Sequence, residues 1–495
     1  MLNRRGFLIG SLSTLACGPR APAVRTQQPR VTHGVQAGDV QTGRALVWAR
    51  CDEPARMVVE WDTTASFARP RAIAGPVVTP DSDHTGIVAL DGLPDAQTIA
   101  YRVRFEREAA RGASAWATGR FATPRPDRVR VAWTGDTCGQ GYGRNPEWGG
   151  LRGYAAIRAA EPAVLVNSGD LIYADNPIVA EQQTPDGRTW RNVTNERVAR
   201  VAESLDDFRA RFAYNLEDEH VQTLAAEVPV IAQWDDHETH NNWWPGQTLD
   251  DARYRERDAS RLAAHALRAT FEWTPIPRGP VHRVVRYGPL LDVVVLDCRS
   301  FRTPNDPGRG EAGAMLGSAQ AAWLVETLAA SRARWKIVAC DQPIALVIRD
   351  GSDRQEGWAN ADPGPPLGRE RELAGVLAAL KTRGVRNVAW ITADVHYAAA
   401  HHFDPARAQG VDFEPFWEHV AGPIHAGTFG PEELDPTLGG EVRFQWAPPP
   451  GAGNLPPWDG LQSFGTIDVA LDALAITLWG IDGRARHRVE LPWRA

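Results

Sequence analysis

Apolar residues follow two rhythms along this chain. From residue 31 to residue 123 they come in short runs: Ala45-Leu46-Val47-Trp48-Ala49, Met57-Val58-Val59-Glu60-Trp61, Thr85-Gly86-Ile87-Val88-Ala89-Leu90 and Ala100-Tyr101-Arg102-Val103-Arg104-Phe105. Gly, Pro and Asp turns part them. Runs of this length between turn residues predict β-strands, and roughly 90 residues of them fit a small sandwich. Pro124-Arg125-Pro126 marks a boundary. Beyond it the apolar runs 129–133, 163–166, 229–232, 291–296, 335–339 and 387–391 each end in a polar or small break. Stretches with a 3.6-residue period lie between them, for example 318–330 and 369–382, so strands alternate with helices. The expected fold class is α/β: a layered domain of β-sheets flanked by helices, preceded by a small all-β sandwich domain.

One further apolar run stands apart. Asn3-Arg4-Arg5-Gly6-Phe7-Leu8 carries paired arginines, and residues 7–16 form a short apolar stretch ending in small residues. This is the layout of a twin-arginine signal, which predicts export by the twin-arginine machinery to the periplasm or the extracellular space. Leu15-Ala16-Cys17 also fits a lipid anchor at Cys17, against which Thr14 counts, since such signals usually carry Leu there. No later run reaches the roughly 18 apolar residues of a membrane span.

Composition narrows the function. The 495 residues carry 54 Lys and Arg against 61 Asp and Glu, a net charge of −7. No basic excess is left to neutralise a phosphate backbone, so a dedicated nucleic-acid partner is excluded. Cys51, Cys138, Cys298 and Cys340 remain after a signal is removed. An oxidising compartment allows disulfides, with Cys298 and Cys340 the favoured pair because both follow apolar strand-like runs.

The chemistry sits where the strands stop. After the first comes Gly135-Asp136-Thr137-Cys138; after the second, Gly169-Asp170-Leu171-Ile172-Tyr173; after the third, Trp234-Asp235-Asp236-His237-Glu238; after the sixth, Thr392-Ala393-Asp394-Val395-His396. An Asp after a strand is commonly a turn former or a helix cap. Four strand ends together deliver carboxylates, imidazoles, a thiol and a phenol to the rim where open α/β sheets place their sites. So much negative charge in one place requires cations. Asp235, Glu238, Asn241 and Asn242 are expected to shape the third loop. Arg299 and Arg302, after the fourth strand, fit either a phosphate grip or a salt bridge.

The order DxC, GDxxY, DDHE and DVH resembles the alkaline phosphatase D (PhoD-like) branch of the calcineurin-like metallophosphoesterases. Gly34-Val35-Gln36-Ala37-Gly38-Asp39, Leu46-Val47-Trp48-Ala49-Arg50, Asp297-Cys298-Arg299-Ser300-Phe301-Arg302 and Ala319-Gln320-Ala321-Ala322-Trp323-Leu324 extend the resemblance. It implies a signal and leader at 1–27, an N-terminal sandwich domain at 28–124 and a metallophosphoesterase catalytic domain at 125–495. It also implies a di- or trinuclear centre of ferric iron and divalent ions, often calcium. Asp136 would bind one metal, Asp170 would bridge two, Tyr173 would bind iron as phenolate, and Cys138 would add a thiolate. Asp236 stands where wider relatives have Asn, and Asp394 and His396 match a last motif that they write with two His. Carboxylates in place of amide and imidazole make the site harder, which favours calcium over zinc at the second position.

The reaction expected is hydrolysis of phosphate monoesters and diesters by direct attack of a metal-held water or hydroxide. His237, next to Asp236, is placed to protonate the departing oxygen; its alternative role is to orient Asp236. A phospholipase-like diesterase on the same centre and a non-catalytic envelope-binding protein are the competing readings.

Overall fold

Two β-sheets face one another across a single apolar core. The computed structural model describes residues 28–108 and 112–494, so the arginine pair and Cys17 lie outside the described residues. One sheet has nine strands, in the order Ala485–Pro492, Ala473–Gly480, Ser463–Ala470, Arg128–Thr134, Val164–Ser168, Val230–Gln233, Val31–Gln41, Arg44–Cys51, Thr85–Asp91. The other has seven: Arg283–Tyr287, Leu291–Val295, Trp335–Ala339, Val388–Thr392, Phe416–Val420, Ala398–Phe403, Gly440–Trp446. All six runs expected as strands after Pro126 are found, three in each sheet. Within its sheet each trio is parallel.

Alternation along the strands assigns the faces. Val129, Val131 and Trp133 from one sheet meet Leu291, Val293, Val295, Ile337 and Ile391 from the other in the central core. The out-of-phase residues Val294, Leu296, Val338 and Trp390 turn outward, where helices Gly317–Ala330 and Arg369–Thr382 cover them with Leu324, Leu328, Leu373 and Leu377. Both faces of these strands are buried, which is why 291–296 reads as an almost unbroken apolar run. Each such Val or Leu contributes about 1.5–3 kcal/mol by leaving water. Its one polar member, Asp292, accepts a hydrogen bond from Ser331 Oγ at 2.7 Å. On the opposite outer face, helices Leu205–Leu216 and Ala259–Trp273 cover Ala232 and Trp234 with Phe208, Phe212, Leu262 and Ala266. The result is a helix–sheet–sheet–helix stack.

The N-terminal strands divide between two sheets. Arg71–Val78, Ala55–Asp62, Thr98–Glu106 and Ala117–Ala122 form a separate four-stranded sheet. Val31–Gln41 instead pairs in parallel with Val230–Gln233, Gly38 opposite Val230, so three N-terminal strands extend the nine-stranded sheet. Val35, Val47, Met57, Val59, Tyr101 and Val103 fill the space between the two. Arg283 clasps Asp39 through two hydrogen bonds of 2.6 and 2.9 Å, and Trp48 Nε1 donates to Glu272 O at 2.7 Å. Pro124-Arg125-Pro126 carries the chain from the four-stranded sheet, left at Ala117–Ala122, into the nine-stranded sheet at Arg128–Thr134.

The disulfide expected between Cys298 and Cys340 is corrected. Both are free, buried thiols with their sulfurs 3.5 Å apart, and the Cys340 thiol donates to Gln342 O at 3.1 Å. Neighbouring strands bring them together without a bond. Among the described residues no helix is long and apolar enough to cross a membrane.

Candidate metal centre

The C-terminal ends of the parallel strands in both sheets open toward one another and deliver the candidate ligands. Asp136, Asp170, Asp394 and His396 all have left-handed backbones, with φ of 66°, 49°, 69° and 62°. Non-glycine residues rarely adopt this conformation, and it clusters where a site over-determines it. Close packing of the loops enforces it. Gly169 has φ +89°, and a Cβ there would lie 2.4 Å from Asp235 Cβ, so only glycine lets the second loop pass the third. Asp136 N–H donates to Gly169 O at 3.4 Å and Thr137 N–H to Asp170 O at 2.9 Å, locking the first loop to the second.

Three groups of ligand atoms result, each within 4.8 Å: Asp136, Asp170 and His396; Asp170, Asp236 and His237; Asp235, Asp236 and Asp394. Asp170 and Asp236 each belong to two groups, the position of a bridge. One oxygen of each is anchored and the other is not. Asp170 Oδ1 accepts the His237 N–H at 3.1 Å and Asp236 Oδ2 accepts the Asn242 N–H at 2.6 Å. Asp170 Oδ2, Asp236 Oδ1 and both oxygens of Asp136 are buried without a hydrogen-bond partner. Buried carboxylate oxygens left unpaired are costly, and hard cations are the partners that oxygen ligands suit. The residues present therefore fit a metal centre.

Electrostatics agree with this. Burial first, then the charge of Asp235, pushes Asp136 well above the usual carboxylate range; burial and Asp236 do the same to Asp170. Burial also acts on Asp236, but His237 and Arg299 outweigh it and hold its carboxyl low. His396 is kept neutral, lowered to about 4 mainly by burial. Its Nδ1–H donates to Gly427 O at 2.5 Å, so Nε2 turns its lone pair inward and accepts from the Tyr173 hydroxyl at 2.8 Å. Burial and the charges of Asp170 and Asp136 raise the Tyr173 phenol far above its usual range, so only a strong Lewis acid makes it a phenolate.

His237 stands apart in charge. Its Nδ1–H donates to Asp175 Oδ1 at 2.7 Å, and its ring packs against Tyr173 at a 30° tilt with centroids 4.2 Å apart. Burial favours the neutral ring, but Asp175 and then Asp236 prevail and raise His237 to about 10. Asp175, lowered to about 2, is a partner the motif reading missed, although it follows Tyr173 by two residues. Its other oxygen accepts the Asn241 N–H at 3.0 Å. Glu356 was also missed, and nothing around it in the sequence signals a site.

Cys138, expected as a ligand, belongs to none of the three groups. Its thiol packs with Leu151, Tyr154, Ile157 and Ile424, and burial raises it far above the ordinary thiol range. Left-handed φ at both Asp136 and Cys138 breaks the two-residue alternation that DxC spacing suggests. Glu238 shapes the third loop as expected, accepting the backbone N–H groups of Leu171 and Asp235 at 2.6 and 2.7 Å. Arg299 and Arg302 are buried in ion pairs with Asp235 and Glu356.

The sequence joins this geometry to known proteins. The family model described as PhoD-like phosphatase matches residues 131–477, and that of the PhoD-like phosphatase N-terminal domain matches residues 16–125. The chain belongs to the PhoD-like phosphatase family. Alkaline phosphatase D of Bacillus subtilis (strain 168) is 26% identical over 427 residues, 80% of this chain and 68% of that relative. A solved structure of PhoD shares the fold with a TM-score of 0.70 at 18% identity, covering 94% of this chain and 89% of that one. Purple acid phosphatase PPD1 from yellow lupin (Lupinus luteus) follows at a TM-score of 0.58 and 12% identity, covering 94% and 74%. This PhoD-like chain is a metal-dependent phosphoesterase, a phosphoric ester hydrolase.

Proposed function

We propose that this PhoD-like chain is an exported phosphatase and phosphodiesterase whose centre combines ferric iron with calcium. The observation that carries the reading is the set of buried carboxylate oxygens of Asp136, Asp170 and Asp236 that lack a hydrogen-bond partner. Asp136, Asp170, His396 and Tyr173 would hold the iron, and Asp170, Asp236 and Asp394 the calcium. An oxygen-rich set with one imidazole and one phenol is hard, which supports this pair over zinc. Cys138 is left out of the ligand set.

When bound, the ions supply Lewis acidity, screening the charge of a phosphate ester and lowering the pKa of a water. The chain's own residues do the rest. His237, held as imidazolium by Asp175, donates a proton to the departing ester oxygen, and the hydrogen bond from the His237 backbone N–H to Asp170 Oδ1 fixes the acid beside the bridging carboxylate. The paired arginines at Arg4 and Arg5 support export in the folded state, through which iron can be loaded before the protein leaves the cytoplasm.

Metal analysis of protein purified from its own host, paired with a panel of phosphate mono- and diesters, tests the proposal. Iron and calcium with hydrolysis of both ester classes is the expected result. Active protein containing only zinc would remove the iron assignment, and hydrolysis confined to phospholipids would make the chain a lipase-type diesterase.

A further inference from the structure

The strands that deliver candidate ligands at one end begin, at the other, around a basic pocket. Arg332 and Arg334 lead into strand Trp335–Ala339, Arg386 into Val388–Thr392 and Pro126 into Arg128–Thr134. The last two strands run on to Asp394 and Asp136, so the pocket and the candidate metal centre lie at opposite ends of the same strands. The pocket measures about 490 Å³. Five basic residues line it, Arg332, Arg334, Lys336, Arg386 and Arg494, and no Asp or Glu of the described residues does. In a chain of net charge −7 this is a local reversal of sign.

Neighbouring carboxylates do not cancel it. Asp127 lies 3.5 Å from Arg125, and Asp292 is buried against Ser331. Asp472, next to Leu471 in the chain, offsets one charge at most. Arg332 and Arg494 are exposed and form no ion pair among the described residues. Lys336 sits deeper, its Nζ–H donating to Arg386 O at 3.3 Å. Two apolar side chains break out of the same surface: Leu471 is 49% exposed and Trp493 is 36% exposed. Arg334 ties them together, its guanidinium 4.0 Å from the Trp493 ring centroid and its Nε–H bonded to Leu471 O. Exposed apolar side chains beside a cluster of cations fit a lipid headgroup layer, which takes up the first and supplies anions to the second.

We propose that this pocket is a docking surface for an anionic phospholipid membrane. The arginines pair with headgroup phosphates, and Leu471 and Trp493 enter the headgroup layer, where tryptophan is favoured. Docked by this end, the chain holds its metal centre away from the lipid, facing soluble phosphate esters rather than the headgroups beneath it. A soluble polyanion would use the arginines alone and leave Leu471 and Trp493 without a role.

The test is sedimentation of the full chain, purified from its own host, with vesicles of phosphatidylcholine alone and of equal parts phosphatidylcholine and phosphatidylglycerol. Wild type should bind the mixed vesicles, release them as salt rises, and leave the phosphatidylcholine vesicles unbound. Arg332→Gln combined with Arg386→Gln and Arg494→Gln should weaken binding on the order of 100-fold, about five-fold per charge. Leu471→Ser combined with Trp493→Ser should weaken it about 10-fold with the salt dependence unchanged. Both variants change exposed residues remote from the centre and should hydrolyse a soluble phosphate monoester at the wild-type rate. Vesicle-bound wild type should do the same; loss of that hydrolysis on binding contradicts the orientation. Wild type that ignores the mixed vesicles, or a triple-arginine variant that binds them as wild type does, overturns the proposal. Binding that is shared with soluble polyglutamate and unmoved by the Leu471 and Trp493 changes also overturns it, and makes the partner a soluble polyanion.

Discussion

At the scale of single residues, the centre divides into groups that hold cations and one group that stays charged itself. Asp170 bridges two ligand sets, so Asp170→Asn should abolish turnover and empty both, read by elemental analysis beside an assay. His237→Ala should keep its metal and lose roughly 10²- to 10⁴-fold in turnover, the contribution of a positioned general acid. Metal loss in that variant would move His237 into the ligand shell. Asp175→Asn should cost less than His237→Ala, again with metal content unchanged, because the imidazole remains but loses the carboxylate that orients and charges it. Asp136, Asp170, Tyr173, Asp236, Asp394, His396 and His237 were legible in the sequence because each follows an apolar run directly. Asp175 and Glu356 were not, since a supporting carboxylate needs only to arrive at the right place and carries no spacing of its own. Cys138 falls outside the three groups because DxC implies one face only while the backbone stays extended.

At the scale of elements, loops and helix ends set the constraints. Gly422 has φ +133°, and a Cβ there would lie 2.3 Å from Asp136 Oδ2. Gly422→Ala should therefore displace the Asp136 carboxylate and lower metal content while circular dichroism stays close to wild type. Normal metal content in the variant would mean that the loop yields easily. Glu370 opens helix Arg369–Thr382 and is raised to about 8, chiefly by burial and then by Asp435, against donors from Leu367 and Asn360. A carboxyl that binds its proton more tightly when folded stabilises the fold fully below its ordinary value of 4.5, and that contribution is lost as pH rises through about 8. The thermal midpoint of wild type should thus fall more between pH 5 and pH 9 than that of Glu370→Gln; parallel profiles would contradict the assignment. Strands after Pro126 were readable because burial on both faces leaves continuous apolar runs. The strands Val31–Gln41 and Arg71–Val78, which are partly exposed and broken by Gly, Pro and His, were not.

At the scale of the whole molecule, the sheet that carries Asp136, Asp170 and Asp236 runs on into the N-terminal strands. Removing residues 28–124 would bare the edge of Val230–Gln233, the strand that leads into Asp235 and Asp236, and strand edges of this kind recruit other chains. The truncated chain should aggregate and bind little metal, and the intact chain should unfold in one calorimetric transition. Two separated transitions would show that the sheet's continuity contributes little. This join was hidden from sequence because parallel pairing between residues nearly 200 positions apart leaves no local pattern, as Gly38 and Val230 illustrate. Anomalous diffraction at the iron edge and at long wavelength, from crystals of protein purified from its own host, locates the ions of the centre. A two-ion centre gives two peaks, one among Asp136, Asp170, His396 and Tyr173 and one among Asp170, Asp236 and Asp394. Peaks elsewhere, such as beside Cys138 or between Cys298 and Cys340, or no peak in active protein, would contradict it.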